Sequence, residues 1–127
     1  MRSPSVLGGP CDYKTYKGHA TIVHIAKKEI HRAHNLPPYQ SYEVKFIFFT
    51  DKDIDEPYGR IEGKEQTLML INSQYPGPEF LEKYGIETGK SFECHLKVII
   101  KGTCSPIIFE FPTIDLRDYF ELRGSSK

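Results

Sequence analysis

The sequence lacks a surplus of charge of either sign. Seventeen Lys and Arg balance seventeen Asp and Glu over 127 residues, so the formal net charge is zero. An obligate nucleic-acid-binding domain usually carries a strongly basic surface, which this balance does not provide. The charges are distributed unevenly. Residues 14–45 carry six basic and two acidic groups, a net charge of +4, whereas residues 50–93 carry five basic and ten acidic groups, a net charge of −5. The basic first third is therefore the candidate region for an anionic ligand.

Long apolar runs are also missing. No stretch approaches the roughly 18 apolar residues that a membrane-spanning helix requires, so we expect no membrane partner. The first ten residues, MRSPSVLGGP, have no continuous apolar core of the kind that secretory signals contain. The composition, 39% hydrophobic and 27% charged, is typical of a globular protein. We expect a loose lead-in over residues 1–17, a single domain over 18–122 and a polar tail over 123–127.

Cysteine is scarce, and no CxxC motif is present. The three cysteines are Cys11, Cys94 and Cys104. Their odd number and the missing signal predict three free thiols in a reducing, cytoplasmic setting. Cys94 falls on the apolar face of a predicted strand, as a small core residue would. Cys11, followed by Asp12, is the candidate nucleophile, but nothing in the sequence places a base beside its thiol.

Motifs of common active sites are absent as well. The chain has no Gly-rich phosphate loop, no GxSxG nucleophile turn and no HExxH zinc motif. His31 and His34 have an HxxH spacing without a third ligand at a recognisable distance, so we expect no metal ion and no cofactor. An enzyme with an unrecognised site is the third hypothesis for function, behind two kinds of binding module.

Alternation of apolar and polar residues is the strongest structural signal present. It predicts five strands, over residues 18–30, 41–49, 64–72, 91–102 and 104–112. The second alternates clearly, with Tyr42, Val44, Phe46 and Phe48 on the face that we expect to fill the barrel. A period of two with one apolar face indicates an antiparallel sheet that is buried on one side.

A single short helix interrupts these strands, in the stretch YPGPEFLEKYG. Pro78 suits its first turn, and Gly85 suits a left-handed cap at its end. Phe80, Leu81 and Tyr84 form an apolar stripe on the helix surface. We expect this stripe to cover one end of the hydrophobic core.

Three strands, a helix and two strands resemble the element order of the OB-fold, a five-stranded Greek-key barrel. The resemblance covers residues 18–112 and includes no family motif. We therefore predict an all-β, OB-like antiparallel barrel with a short helix between strands three and four. A second short helix is predicted in TIDLRDYFEL, with Thr113 or Asp115 as its N-cap. A small β-sandwich or another partly open barrel is the alternative fold.

The acidic loop DKDIDEPYGRIE has a spacing that resembles a calcium site. Asp51, Asp53, Asp55 and Glu62 occupy positions one, three, five and twelve, as the oxygen ligands of an EF-hand do. Position six requires Gly for a sharp turn, and here it is Glu56. The flanking segments also predict strands instead of helices, so we expect a solvated loop that does not bind calcium.

The candidate ligand-binding residues come from the basic stretch and the second strand. They are Lys27, Lys28, Arg32, Tyr39, Lys45, Ile47 and Phe49. The first hypothesis is a non-catalytic module that binds single-stranded nucleic acid or a similar extended anionic ligand on strands one to three. The four basic side chains would contact phosphates, and Tyr39 or Phe49 would stack on bases. The second hypothesis is a protein-interaction or regulatory module that uses the same face, with Ile47 and Phe49 as apolar anchors.

Overall fold

The fold is a curled antiparallel sheet with one short helix, as a computed structural model of residues 10–29 and 38–121 describes it. The elements are β1 (Asp12–Lys27), β2 (Tyr42–Phe49), a 3-10 turn (Pro57–Gly59), β3 (Glu65–Thr67), α1 (Pro78–Lys83), β4 (Ser91–Lys101) and β5 (Ile107–Glu110). The strands lie in the order β3-β2-β1-β4-β5. The predicted mostly-β fold with a helix between the third and fourth strands is confirmed.

The sheet forms a half-barrel and not a closed barrel. Strands β3 and β5 are its two edges, and no strand pairing joins them in the part of the chain that the structure describes. β3 is three residues long and β5 is four, so both are shorter than the strands predicted over residues 64–72 and 104–112. The sheet therefore ends in two short edges with an opening between them.

β1 is the central strand and holds the sheet together. It begins at Asp12, so residues 12–17 belong to the strand and not to the predicted lead-in. It pairs with β4 along its first part and with β2 along its second part. The register with β2 shifts between Ile22 and His24, and this bulge lets both Ile22 and Ile25 face the core.

The core lies on the concave side of the sheet. Its buried side chains are Tyr16, Ala20, Ile22, Val44, Phe46, Phe48, Leu68, Leu70, Phe80, Ile86, Cys94, Leu96, Val98, Phe111 and Ile114. The ring of Phe46 packs edge-on against Phe109 and Phe111, with ring centroids 5.1 and 5.3 Å apart. The alternation predicted for β2 is confirmed for Val44, Phe46 and Phe48, which are all buried, whereas Tyr42 is half-buried.

Helix α1 covers one end of this core, as predicted. Phe80 is only 1% exposed. The N-cap residue Gly77 offers no side-chain hydrogen bond to the first turn. The carboxylate of Glu121 replaces it, because it accepts hydrogen bonds from the backbone N–H groups of Glu79 (3.0 Å) and Phe80 (3.1 Å). A residue 41 positions away from Phe80 therefore caps the helix.

The segment after β5 forms turns, so the predicted C-terminal helix is wrong for the described residues up to 121. Asp115 makes a local turn, accepting a hydrogen bond from the backbone N–H of Arg117 at 2.9 Å. The backbone carbonyl of Leu116 accepts a hydrogen bond from the N–H of Ile71 at 3.0 Å. In a continuous helix the carbonyl of Leu116 would accept a hydrogen bond from within the helix. Contacts with distant residues therefore override the local preference for helix.

The acidic loop covers the opposite end of the core. The loop follows Phe49, the last residue of β2. Helix α1 lies near the first residue, Tyr42, whose N–H donates to the carbonyl of Pro76. Gly59 is buried in this loop, and a Cβ there would lie 2.4 Å from Ile54. The hydroxyl of Tyr16 donates to the carboxylate of Glu56 at 2.5 Å. The loop is thus partly packed, although its three aspartates are exposed.

A disulfide joins Cys11 to Cys104, so the prediction of three free thiols is wrong. Because β1 extends to Asp12, which pairs with Lys101, Cys11 lies beside the turn that connects β4 to β5. Only Cys94 is free, and it is buried in the core. The argument from free thiols for a cytoplasmic location is therefore lost, and that location stays a prediction.

Candidate functional site

The described ligand-binding candidates fall into two groups, with Lys27, Lys28 and Tyr39 near the start of β2 and Lys45, Ile47 and Phe49 along β2 itself. Lys27 pairs with Tyr42, the first residue of β2, and His19 pairs with Phe49, the last. Seven residues of strand at about 3.3 Å each separate these positions by about 23 Å. The predicted juxtaposition of Phe49 with the basic stretch is therefore wrong. Arg32 lies outside the described residues.

The first group lies beside α1 and is partly used for internal contacts. The ammonium group of Lys28 is 5.4 Å from the ring centroid of Tyr75. The hydroxyl of Tyr39 donates a hydrogen bond to the backbone carbonyl of Tyr75 at 2.9 Å. Burial raises the pKa of Tyr39, and the negative charge of Glu121 raises it further. Tyr39 therefore serves packing around the helix, and only Lys27 of this group is fully exposed.

Lys45 lies on the outer face of β2, and its charge is already engaged. Its ammonium group donates to the hydroxyl of Thr67 on β3 at 2.7 Å. It also lies 3.5 Å from the carboxylate of Glu43. Any phosphate that bound Lys45 would have to displace these contacts, so Lys45 is a poor anchor for a nucleic-acid backbone.

A contact between His95 and Glu93 and an ion pair between Lys97 and Glu110 occupy the outer faces of β4 and β5. The imidazole of His95 lies 3.0 Å from the carboxylate of Glu93, and the ammonium group of Lys97 lies 3.2 Å from that of Glu110. Exposed ion pairs contribute little to stability, but each partner reduces the field of the other. These side chains therefore present little net positive charge to an approaching anion.

An apolar surface remains on the outer faces of β1 and β2. We call His19, Ile47 and Phe49 the outer patch. Phe49 is 41% exposed, and Ile47 is half-buried beside it. The rings of His19 and Phe49 are tilted against each other, with centroids 5.8 Å apart. The outward position of Phe49 follows from its alternation with buried Phe48, whereas its contact with His19 depends on strand register, which no local signal reveals.

Gly18 allows the two strands to approach each other closely beneath this patch. A Cβ at Gly18 would lie 2.0 Å from the backbone oxygen of Phe49, so no larger residue fits without moving the strand. The hydroxyl of Thr50 donates to the backbone oxygen of Lys17 at 2.8 Å and fixes the end of β2. These residues line an open depression of about 510 Å³ next to the patch.

The described residues offer little for metal binding or nucleophilic attack. Within residues 10–29 and 38–121, no group of three or more His, Cys, Asp or Glu side chains is arranged to hold a metal ion. The candidate nucleophile Cys11 is bonded to Cys104 and has no thiol to ionise. Burial raises the pKa of Cys94 to about 12. No helix in the described part of the chain is long and apolar enough to cross a membrane.

Comparison with known proteins gives no relative. No family model matches the chain, and neither a curated protein nor a solved structure matches it significantly.

Proposed function

We propose that this protein is a non-catalytic binding module whose outer patch contacts a protein partner. The observation that carries the proposal is an exposed Phe49 in contact with His19, on a face where Lys45 is paired with Glu43 and Lys97 with Glu110. An apolar ring on a face that leaves few cations for phosphates suits a protein surface better than a phosphate backbone.

The fold supports this proposal by analogy. The strand order β3-β2-β1-β4-β5, with α1 between β3 and β4, is consistent with an OB-like barrel that has opened between its two edges. OB-folds commonly bind their ligands on the face of strands two and three. The outer patch includes that face of β2. The analogy concerns the fold alone, and the side chains decide the ligand.

Single-stranded nucleic acid is the alternative ligand for the same patch. His19 and Phe49 present ring faces on which bases can stack, and Lys17 lines the neighbouring depression. This version of the original hypothesis does not use Lys27, Lys28 or Arg32, because the first two lie at the other end of the sheet and the third is outside the described residues.

A photo-crosslinking amino acid placed at position 49 tests the proposal. Ile100 is 58% exposed and lies on β4, outside the patch, so the same group at position 100 is a matched control. In an extract of the source cells, we expect position 49 to crosslink to a discrete protein band that persists when the salt concentration is raised. Crosslinking that is identical at positions 49 and 100 would refute the proposal.

Fluorescence anisotropy with labelled single-stranded DNA and RNA tests the alternative. We expect no binding at tens of micromolar protein in low salt. Binding that weakens steeply with salt, and that Phe49→Ala weakens further, would instead establish the nucleic-acid ligand. Burial of the exposed part of the Phe49 ring, about 80 Å² at 25 cal/mol per Å², contributes about 2 kcal/mol, so Phe49→Ala should reduce affinity for either ligand by about 30-fold.

A further inference from the structure

The outer edge of β5 has unpaired main-chain groups in a defined pattern. Ile108 lies opposite Lys97 on β4, and the N–H of Ile99 donates to the carbonyl of Pro106 at 2.9 Å. In an antiparallel pair, hydrogen-bonded positions alternate, so the main-chain groups of Ile108 face β4. Those of Ile107 and Phe109 therefore point away from the sheet. Within the described ranges, no backbone hydrogen bond from another element reaches them.

A groove lined by both apolar and charged side chains lies beside this edge. It has a volume of about 630 Å³ and runs between β5 and the turns that follow it. Its apolar lining includes Ile71, Ile108, Phe109, Phe111 and Ile114, and its charged lining includes Glu110, Asp115 and Arg117. Ile71 is 57% exposed and Ile108 is 37% exposed, so the groove presents two exposed aliphatic side chains.

The other edge of the sheet offers no comparable surface. β3 has only three residues, Glu65, Gln66 and Thr67, and the carboxylate of Glu65 is exposed. A charged residue on an edge strand discourages pairing with another chain. β5 has four residues and no Lys, Pro or bulge, and its one exposed carboxylate, Glu110, is paired with Lys97 on β4 at 3.2 Å. The β5 edge is therefore longer than the β3 edge and has fewer features that oppose strand addition.

We propose that the β5 edge and its groove bind an extended peptide segment of a partner protein by strand addition. The outward N–H and C=O groups of Ile107 and Phe109 can form hydrogen bonds with the backbone of another extended segment. Alternate apolar side chains of that segment would then enter the groove. This site is separate from the outer patch and does not depend on it.

A second copy of this chain is a poorer occupant. Symmetric pairing of β5 with itself would join only four residues from each copy. Stable interfaces typically use roughly 20–30 residues on each side. A single peptide strand needs only the edge and the groove, so it matches the size of the available surface.

Synthetic eight-residue peptides that alternate Thr with Val, Leu or Phe, each flanked by Lys for solubility, are suitable probes. We expect at least one of the three to bind with a Kd of about 10–500 μM, the range of a short strand interaction. Binding should slow hydrogen exchange at the amides of Ile107 and Phe109 and leave that of Ile108 unchanged. Absence of binding by all three peptides at about 1 mM would overturn the proposal.

Two N-methylated versions of the binding peptide test the mechanism. In one version the odd residues are methylated and in the other the even residues, so each version loses the donors along one edge of the strand. We expect one version to lose about tenfold or more in affinity and the other to change little, because only one peptide edge faces β5. Equal binding by both versions would show that side chains alone hold the peptide, which contradicts strand addition.

Matched variants of the protein locate the peptide. Ile71→Asp should weaken peptide binding about tenfold, because the charge replaces an exposed aliphatic side chain of the groove. Ile100→Asp is the control, since Ile100 is equally exposed (58%) but lies on β4 outside the groove. Phe49→Ala should leave peptide binding unchanged. A dimer of the free protein in sedimentation, with protected amides at Ile107 and Phe109, would assign the edge to a second copy and overturn the peptide proposal.

Discussion

Removing the carboxylate of Glu121 should weaken helix α1 from a distance. That carboxylate accepts hydrogen bonds from the first-turn N–H groups of Glu79 and Phe80, and Gly77 supplies no side-chain substitute. Loss of an N-cap typically costs about 0.5–2 kcal/mol, and loss of a negative charge at this end of a helix costs about 0.3–1 kcal/mol. We therefore expect Glu121→Ala to lower the free energy of unfolding by about 1–2 kcal/mol.

Urea denaturation measures this loss, and two comparisons make it specific. Glu121→Gln keeps one acceptor oxygen but loses the charge, so its effect should be about half as large. Glu87→Ala removes an exposed carboxylate that is not part of the cap and should cost less than 0.5 kcal/mol.

A second readout uses Tyr39, because the charge of Glu121 contributes to the raised pKa of Tyr39. In Glu121→Ala the pKa of Tyr39 should fall. A loss in stability below about 0.3 kcal/mol, together with an unchanged titration of Tyr39, would refute the capping role.

Three further predictions concern stability. Phe80→Ala should lower the free energy of unfolding by about 3–5 kcal/mol in denaturant melts, because the ring is buried beneath the helix. A loss well under 1 kcal/mol would mean that the helix does not cover the core. Without reductant, thiol titration of the denatured protein should find one thiol, because Cys11 and Cys104 are bonded, and finding three would contradict the disulfide. Cys11→Ser should lower the free energy of unfolding by about 3–5 kcal/mol, because the disulfide closes a long loop. The hydrogen bond from Lys83 holds the pKa of Asp118 below its ordinary value. The stability that ionised Asp118 contributes is therefore present above about pH 4 and is lost as the pH falls further. Asp118→Asn should flatten that acid limb of the stability curve, and an unchanged curve would remove the argument.

The parts of the fold that the sequence predicts are those encoded locally. The alternation of Val44, Phe46 and Phe48 marks a strand with one buried face, and the structure buries all three. Pro78 begins the helix at the predicted residue because its missing N–H costs nothing in a first turn. These signals need no information about partners that are distant in the sequence.

The errors arise where distant contacts decide the conformation. Residues 12–17 have no strong apolar pattern, but they form strand because β4 pairs with them. Asp115 suits an N-cap, but its segment is held in turns by Ile71 and by the contacts of Asp118 with α1. Cys11 and Cys104 meet only because β1 begins early.

The candidate site shows the same division between local and distant information. Strand alternation places Phe49 outside, but it does not reveal that His19 is its neighbour. In an antiparallel hairpin the end of the first strand lies beside the start of the second, so Lys27 pairs with Tyr42 and Phe49 lies at the far end of β2. Hairpin connectivity alone therefore predicts this separation, whereas the exact pairing of His19 with Phe49 depends on register, which neither segment determines by itself.

The central position of β1 also determines when the domain can form during synthesis. Thr21 pairs with Ser91 and Asp12 with Lys101, so β1 finds one of its two neighbours only after about 70–90 further residues. Until β4 has emerged, β1 and β2 form a hairpin to which only the three-residue β3 is added, with one apolar face exposed, and small sheets of this kind have little stability in water. Closing so long a loop also slows folding, because its entropy is lost before the contacts form. We therefore expect a nascent chain that ends before β4 to depend on chaperones that shield the exposed face of β1 and β2.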